Sequence, residues 1–339
     1  MSRINVLSID GGGIRGILPA SILAAIEDGV GQSLHNVFDL IAGTSTGGII
    51  ALAIGTATKS GKPYSPRDLL ELYFQHGPAI FKKNLFTPIK SFFGPKYSPH
   101  ALEHALENFF GDAELRSALT PLLISSYDLA TQLPYFFKSH RIAQEASYNW
   151  KLKQIARATS AAPTFFPPCR LMEGGKEHAL VDGGIFVNNP AMAAYAEARH
   201  LYPEAAEFLM VSVGTGDRDD RIRYNEAKAW GLIGWARAII PVIMESVSEA
   251  VDYELDAVFG AATQRQHFRL QPRLSVASNQ MDDTNSENLK NLRSEADSFL
   301  REKALTIRSL CEELRSGRGS NTPGIGPSRE IRVGEADPL

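Results

Sequence analysis

Three groups of residues in this 339-residue chain have the types and spacing that chemistry needs. In Gly43-Thr44-Ser45-Thr46-Gly47 a serine stands between two glycines, with the apolar run Phe38 to Ala42 before it and Ile49 to Ile54 after it. A strand that turns sharply into a helix on Gly-x-Ser-x-Gly leaves the serine on a tight elbow, exposed as a nucleophile. Gly43 and Gly47 let the neighbouring backbone pack where a Cβ would clash. The second group, Gly11-Gly12-Gly13-Ile14-Arg15-Gly16, offers consecutive backbone N–H groups beside a helix start. Such a cradle binds developing negative charge, which acyl transfer by a serine requires for its oxyanion. The third is Asp182, which ends the apolar stretch Ala179-Leu180-Val181 and precedes two glycines. Carboxyl ends of strands are where active sites form in open α/β sheets. Partial burial would raise its basicity above that of an ordinary aspartate near ~4. Taken alone, Asp182 serves equally well as a turn aspartate bonded to its own backbone.

Two further assignments use the same residues. Serine nucleophiles usually take a histidine as base, and none of the eight histidines sits at a privileged turn. His200 and His267 follow Asp182 and keep open a Ser–Asp–His triad of the α/β-hydrolase esterase kind. Gly11 to Gly16 also matches G-x-G-x-x-G, the dinucleotide-binding turn. That role asks for an acidic residue at the end of the second strand. Asp39 stands at its start instead, and Arg15 is foreign to the fingerprint.

The elements that must position these groups follow from periodicity. Residues 4–9 read as a strand, and Ile17, Leu18, Ile22 and Ile26 recur at helical spacing up to Gly29. Residues 37–42 form a second strand, whose helix begins after Ser45. Two successive strand–glycine turn–helix units predict a mainly parallel sheet covered by helices. Segments 121–127, 134–138, 179–181 and 208–213 read as further strands, and 151–160 and 190–200 as helices. The proline-rich stretch 60–111 carries helices near 66–76 and 99–110 and reads as a cap over one end of the sheet. Residues 217–316 are expected to be mostly helical, with a break or kink at Pro241. Trp230 to Met244 is expected to be a buried helix pair, with an acyl-chain channel or lid as the alternative. Thr284 to Glu287 resembles a capping box opening one long helix. From 317 to 339 glycine, proline and charge predict a disordered tail.

Composition narrows the function classes. The chain is 44% hydrophobic and 22% charged, as expected of a globular protein with a sizeable core. Its net charge of −3 argues against a nucleic-acid partner. Cys169 and Cys311 have no metal-ligand spacing and read as buried thiols. No apolar stretch reaches the ~20 residues of a membrane span, which leads us to expect a cytoplasmic protein. Phe81 to Tyr97 interleaves aromatic and basic side chains, and no acidic residue occurs from Leu72 to Leu102. That pattern fits either peripheral contact with a membrane or a cap packed on the core.

Taken together and in this order, Asp10 to Gly16, Gly43 to Gly47 and Asp182 to Gly184 resemble the signature of the patatin-like phospholipases. Ala158 to Pro163, Phe165-Phe166-Pro167, Asn188-Asn189-Pro190 and Ser212 to Gly216 add to the likeness, which covers about residues 4–216. The resemblance implies a three-layer α/β sandwich spanning 1–316 as one domain. It implies a Ser–Asp dyad without histidine, with Ser45 as nucleophile and Asp182 as base. Gly11, Gly12 and Gly13, with Arg15, would form the oxyanion hole, and no metal or cofactor is needed. The substrate would be membrane glycerophospholipid, met at the inner surface of a membrane. For some bacterial members the resemblance extends to activation by a cyclic nucleotide in anti-phage defence.

Overall fold

The computed structural model describes residues 3–58, 61–82, 94–217, 222–260 and 266–316. At its centre is one eight-stranded sheet, built from β1 (Arg3–Ile9), β2 (Leu40–Thr44), β3 (Leu122–Asp128), β4 (Leu133–Lys138), β5 (Cys169–Glu173), β6 (Lys176–Asp182), β7 (Glu207–Val213) and β8 (His267–Leu270). The order is β5-β6-β3-β2-β1-β7-β8, with β4 pairing β3. Strands β3, β2, β1, β7 and β8 are mutually parallel, whereas β4, β5 and β6 run antiparallel to their neighbours.

Helices cover both faces. They are α1 (Ile17–Val30), α2 (Thr46–Gly55), α3 (Pro66–Ile80), α4 (His100–Phe110), α5 (Leu152–Thr159), α6 (Ala191–Leu201), α7 (Leu232–Phe259), α8 (Ser286–Glu302) and α9 (Ala304–Ser316). Alternate strand residues feed two cores, as the period-2 geometry of a strand requires. Leu7, Ile9 and Ile41 join the core formed with α1 and α2, while Ile4, Val6 and Leu40 join the one formed with α6 and α7. Strands buried on both faces read as unbroken apolar runs, so β1 and β7 stand out in the sequence. The expected three-layer sandwich with a mainly parallel sheet is the architecture found.

Several boundaries differ from expectation. The second strand starts at Leu40, because Asp39 is drawn off to accept from the Asn5 amide at 2.8 Å. Asn285, not Thr284, caps α8, accepting from Asn288 N at 2.8 Å. The single long helix expected after it is broken at Lys303 into α8 and α9. Pro241 lies inside a continuous α7 rather than breaking it. The expected burial of Trp230 to Met244 is overturned. Among the side chains described from Trp230 to Ile243 none is buried, and Met244 is the first that is. Trp235 and Ile239 stand four positions apart on one face of that half of α7, and both are exposed, so this apolar stripe faces away from the core. The middle of the aromatic–basic stretch, 83–93, and the tail 317–339 lie outside the described residues.

Candidate active site

Strand β3 assembles the site. Its residues 123–125 pair with both β2 and β4, and its residues 126–128 pair with both β4 and β6. A strand has two edges, so β2 and β6 must share the edge opposite β4, entering from opposite directions. In register, Ser125 stands beside Thr44 and Ser126 beside Asp182. The end of β2, where the serine elbow begins, therefore meets the end of β6. Two residues 137 positions apart in sequence are joined by a bond of 2.5 Å, in which Ser45 Oγ donates to Asp182 Oδ2.

The elbow itself is strained and braced. Ser45 has φ 56° and ψ −123°, a conformation side chains seldom adopt. Its amide donates to Thr159 Oγ1 at 2.9 Å, and the amide of Asp182 donates to Ala161 O at 3.0 Å. Ala158 to Pro163 thus ties down both members of the pair. Close approach dictates the flanking glycines. A Cβ on Gly43 would fall 2.2 Å from Gly47 O, and one on Gly47 would fall 2.2 Å from Ile9 O. Thr46 hydrogen-bonds the Tyr73 hydroxyl, which anchors α3 to the start of α2.

Asp182 is buried, and burial lifts its carboxyl to about 7, against the hydrogen bonds it accepts from Ser45 and from Gly184 N. A carboxylate in that range accepts a proton from a serine far more readily than one near ~4.

The glycine turn lies against the serine, since a Cβ on Gly11 would fall 3.2 Å from Ser45 Cβ. The Gly11 amide donates to Asn188 O at 3.0 Å, and Ile14 N donates to Met281 O at 2.9 Å. No acceptor among the described residues is bonded to the amides of Gly12 and Gly13. Gly13 needs its φ of +59°, and a Cβ there would meet Met281 O at 2.3 Å. Arg15 donates to Gly216 O at 3.2 Å and, at 3.5 Å, to Gly12 O. It ties the turn to the end of β7.

An ion network supports the turn from below. Arg269, on β8, donates to buried Asp10 at 2.7 Å and to Ser212 Oγ at 2.9 Å, and pairs with Asp252 of α7 at 2.8 Å. Asn189 Nδ2 donates to the other oxygen of Asp252 at 2.9 Å. Burial raises the Asp10 carboxyl, and the Arg269 charge opposes that rise. Sequence reasoning missed Arg269 and Asp252. The available signal was a basic residue alternating with Phe268 and Leu270 in a short β-like run.

An apolar cleft opens at the pair. Besides Ser45 and Asp182 it is lined by Leu72, Gly77 and Ile80 of α3, Leu102 and Ala105 of α4, and Phe166. The proline-rich stretch thus supplies two walls of the cleft. Of its aromatic–basic part, Phe81 packs on Tyr97 and Phe166, and Lys96 pairs with Asp282.

Among the described residues no histidine lines the cleft. His200 closes α6, whose next residue, Tyr202, donates to Asp39 O at the amino edge of the sheet. His267 opens β8 in register with Met210 and pairs with Asp256 at 3.5 Å, also distant from the carboxyl ends of the strands. The triad assignment has no histidine in reach of Ser45. The dinucleotide assignment also fails, because Asp39 sits at the opposite end of the sheet from the glycine turn.

A serine on a strained strand-to-helix turn, a carboxylate on its hydroxyl and two turn amides with no acceptor among the described residues meet at the carboxyl end of a mainly parallel α/β sheet, the arrangement that acyl transfer by a serine requires. Comparison with known proteins narrows this further. A model of the patatin-like phospholipase family matches residues 7–195. Patatin-like protein 3 of Arabidopsis thaliana is 34% identical over 310 residues, covering 78% of this chain and 72% of the relative. Patatin-like protein 2 of Oryza sativa subsp. indica is 30% identical over 371 residues, covering 97% and 90%. Patatin group J-1 of Solanum tuberosum is 33% identical over 317 residues, covering 85% and 81%. The chain belongs to the patatin-like phospholipase family, a family of lipid acyl hydrolases.

Proposed function

We propose that this chain cleaves fatty-acyl esters of glycerophospholipids through a Ser45–Asp182 dyad and an acyl-serine intermediate. The observation that carries the reading is the 2.5 Å bond from Ser45 Oγ to Asp182 Oδ2 at the base of an apolar cleft. Asp182 takes the proton as Ser45 Oγ attacks the ester carbonyl, and the Gly12 and Gly13 amides hold the oxyanion. Collapse breaks the bond to the glycerol oxygen, which leaves with the proton from Asp182 as lyso-lipid. Water then attacks the acyl-serine, giving a proton to Asp182. Ser45 recovers that proton as the fatty acid departs. The apolar walls suit the acyl chain, and a dry site strengthens each of these hydrogen bonds.

Phospholipid hydrolysis and fluorophosphonate labelling test the reading. Ser45→Ala should abolish both. Asp182→Ala should lower kcat by at least a thousandfold and slow labelling of Ser45. Full activity in Asp182→Ala would rule out the dyad.

A further inference from the structure

From Ile222 to Met244 the chain carries large apolar side chains on its outside. Ile222, Tyr224, Trp235 and Ile239 are all exposed, Tyr224 by 80% and Trp235 by 47%. Trp230 and Trp235 meet edge to face with ring centroids 5.3 Å apart, and Lys228 Nζ lies 5.8 Å over the Tyr224 ring. Among the described side chains of this half of α7 none before Met244 is buried, whereas the half after Met244 buries Val251, Leu255 and Phe259. Large apolar side chains exposed together, with polar residues between them, mark interaction surfaces.

Its position is fixed by the site. Met244 Cε lies 2.9 Å from where a Cβ on Gly184 would stand, and Gly184 donates to Asp182. Four residues on, Ser248 Oγ accepts from Asn188, whose own side chain is packed on Gly11. The apolar half of α7 therefore leaves the body beside the catalytic pair, at the end of the sheet where the cleft opens.

Charge and composition select the occupant. Between Ile222 and Met244 stand Arg223, Lys228 and Arg237 against the single acid Glu226, in a chain whose net charge is −3. Tryptophan and tyrosine, mixed with aliphatic and basic residues, favour the boundary between lipid headgroups and acyl chains. We propose that residues 222–244 dock the enzyme on an anionic phospholipid surface, holding the cleft mouth against the bilayer from which the acyl chain enters. This rests on the acyl-hydrolase reading only for the purpose of docking, not for the docking itself.

The test uses the full chain with Ser45→Ala, so that bound lipid is not consumed. Vesicles of phosphatidylcholine alone, or with three parts in ten phosphatidylglycerol, carry brominated acyl chains. Sedimentation should show tighter binding to the anionic vesicles, weakened by salt. Bromine should quench emission from Trp230 and Trp235, while Trp150, which is buried, stays unquenched. Trp235→Glu with Ile239→Glu should weaken vesicle binding at least tenfold, and Arg223→Glu with Lys228→Glu should remove the preference for anionic lipid. With Ser45 restored, the Trp235/Ile239 variant should hydrolyse a soluble short-chain ester within twofold of the parent, which also reports folding. Vesicle binding unchanged in these variants, or binding without quenching, would overturn the proposal. So would a dimer in sedimentation that Trp235→Glu dissolves, since the face would then serve a second copy. If the parent hydrolyses no ester at all, the acyl-hydrolase reading fails and the binding results still decide docking, with thermal unfolding as the check on folding.

Discussion

In the proposed dyad, Asp182 is the residue whose environment most controls the chemistry. Its carboxyl, lifted by burial to about 7, must be ionised to accept the serine proton. Below that value the productive form halves and then falls about tenfold per pH unit. We expect kcat/KM for a soluble ester to drop steadily from pH 7 to pH 5 and to level off above pH 8. A profile flat down to pH 5 would mean that Asp182 titrates like a surface aspartate and is not the base. The same lift has a sign for stability. An aspartate with its pKa raised on folding costs nothing below its unfolded value near ~4. The cost grows until the folded value is passed, at about 1.4 kcal/mol per unit, reaching a few kcal/mol. Asp182→Asn should therefore melt higher than the parent at pH 8, and the margin should shrink at pH 5. Differential scanning calorimetry at the two pH values measures this.

At the scale of elements, the glycine turn depends on β8 and α7, both beyond the 7–195 family match. Arg269 holds Asp10, the residue that leads into the turn, and a misplacement of about 1 Å there can cost on the order of a hundredfold in rate. Arg269→Gln should lower kcat about a hundredfold with little change in KM. It should also destabilise the fold by about 3 kcal/mol or more, because buried Asp10 loses its partner. Adding Asp10→Asn removes the unpaired charge and should recover most of the melting temperature but not kcat. Recovery of both would make the network purely structural.

How much of this could be read beforehand depended on locality. The turn at Gly11 to Gly13 and the elbow at Ser45 are consecutive in sequence and lie on strands whose apolar runs stand out. Asp182 was legible as the end of a short strand, but its meeting with Ser45 was not. That contact arises because β6 runs antiparallel into the edge of β3 already occupied by β2, a relation no local pattern encodes. Arg269 was invisible for a related reason. Its strand has four residues, and two of them, His267 and Arg269, are polar, so the strand resembled a loop. The apolar pattern of 230–244 was legible, but its exposure was not, because periodicity reports which face is apolar and not whether anything covers it.

For the molecule as a whole, the cleft, the glycine turn and the apolar half of α7 gather at the carboxyl end of the sheet. Closure of the fold falls to the last two helices. Both α8 and α9 pack on α1, with Arg293 on Ser21 and Arg315 on the Gly29 carbonyl. Among the described residues no helix is long and apolar enough to cross a membrane.

One pairing in that closure has a consequence for how the polypeptide may be threaded. Arg3, at the start of the first strand, bonds Glu313 in the last helix at 2.6 Å. The two ends of the described fold are neighbours, so the backbone is close to a closed ring. A ring can be cut elsewhere without disturbing its contacts. The hairpin Gly174-Gly175, exposed and with open space around both residues, is a suitable place. A circular permutant that begins at Gly175, with Leu339 joined to Met1, should fold and keep ester hydrolysis within a few-fold of the parent. A permutant that expresses as a folded protein yet has lost that activity would show that chain order, and not only contact, sets the geometry of Ser45 and Asp182.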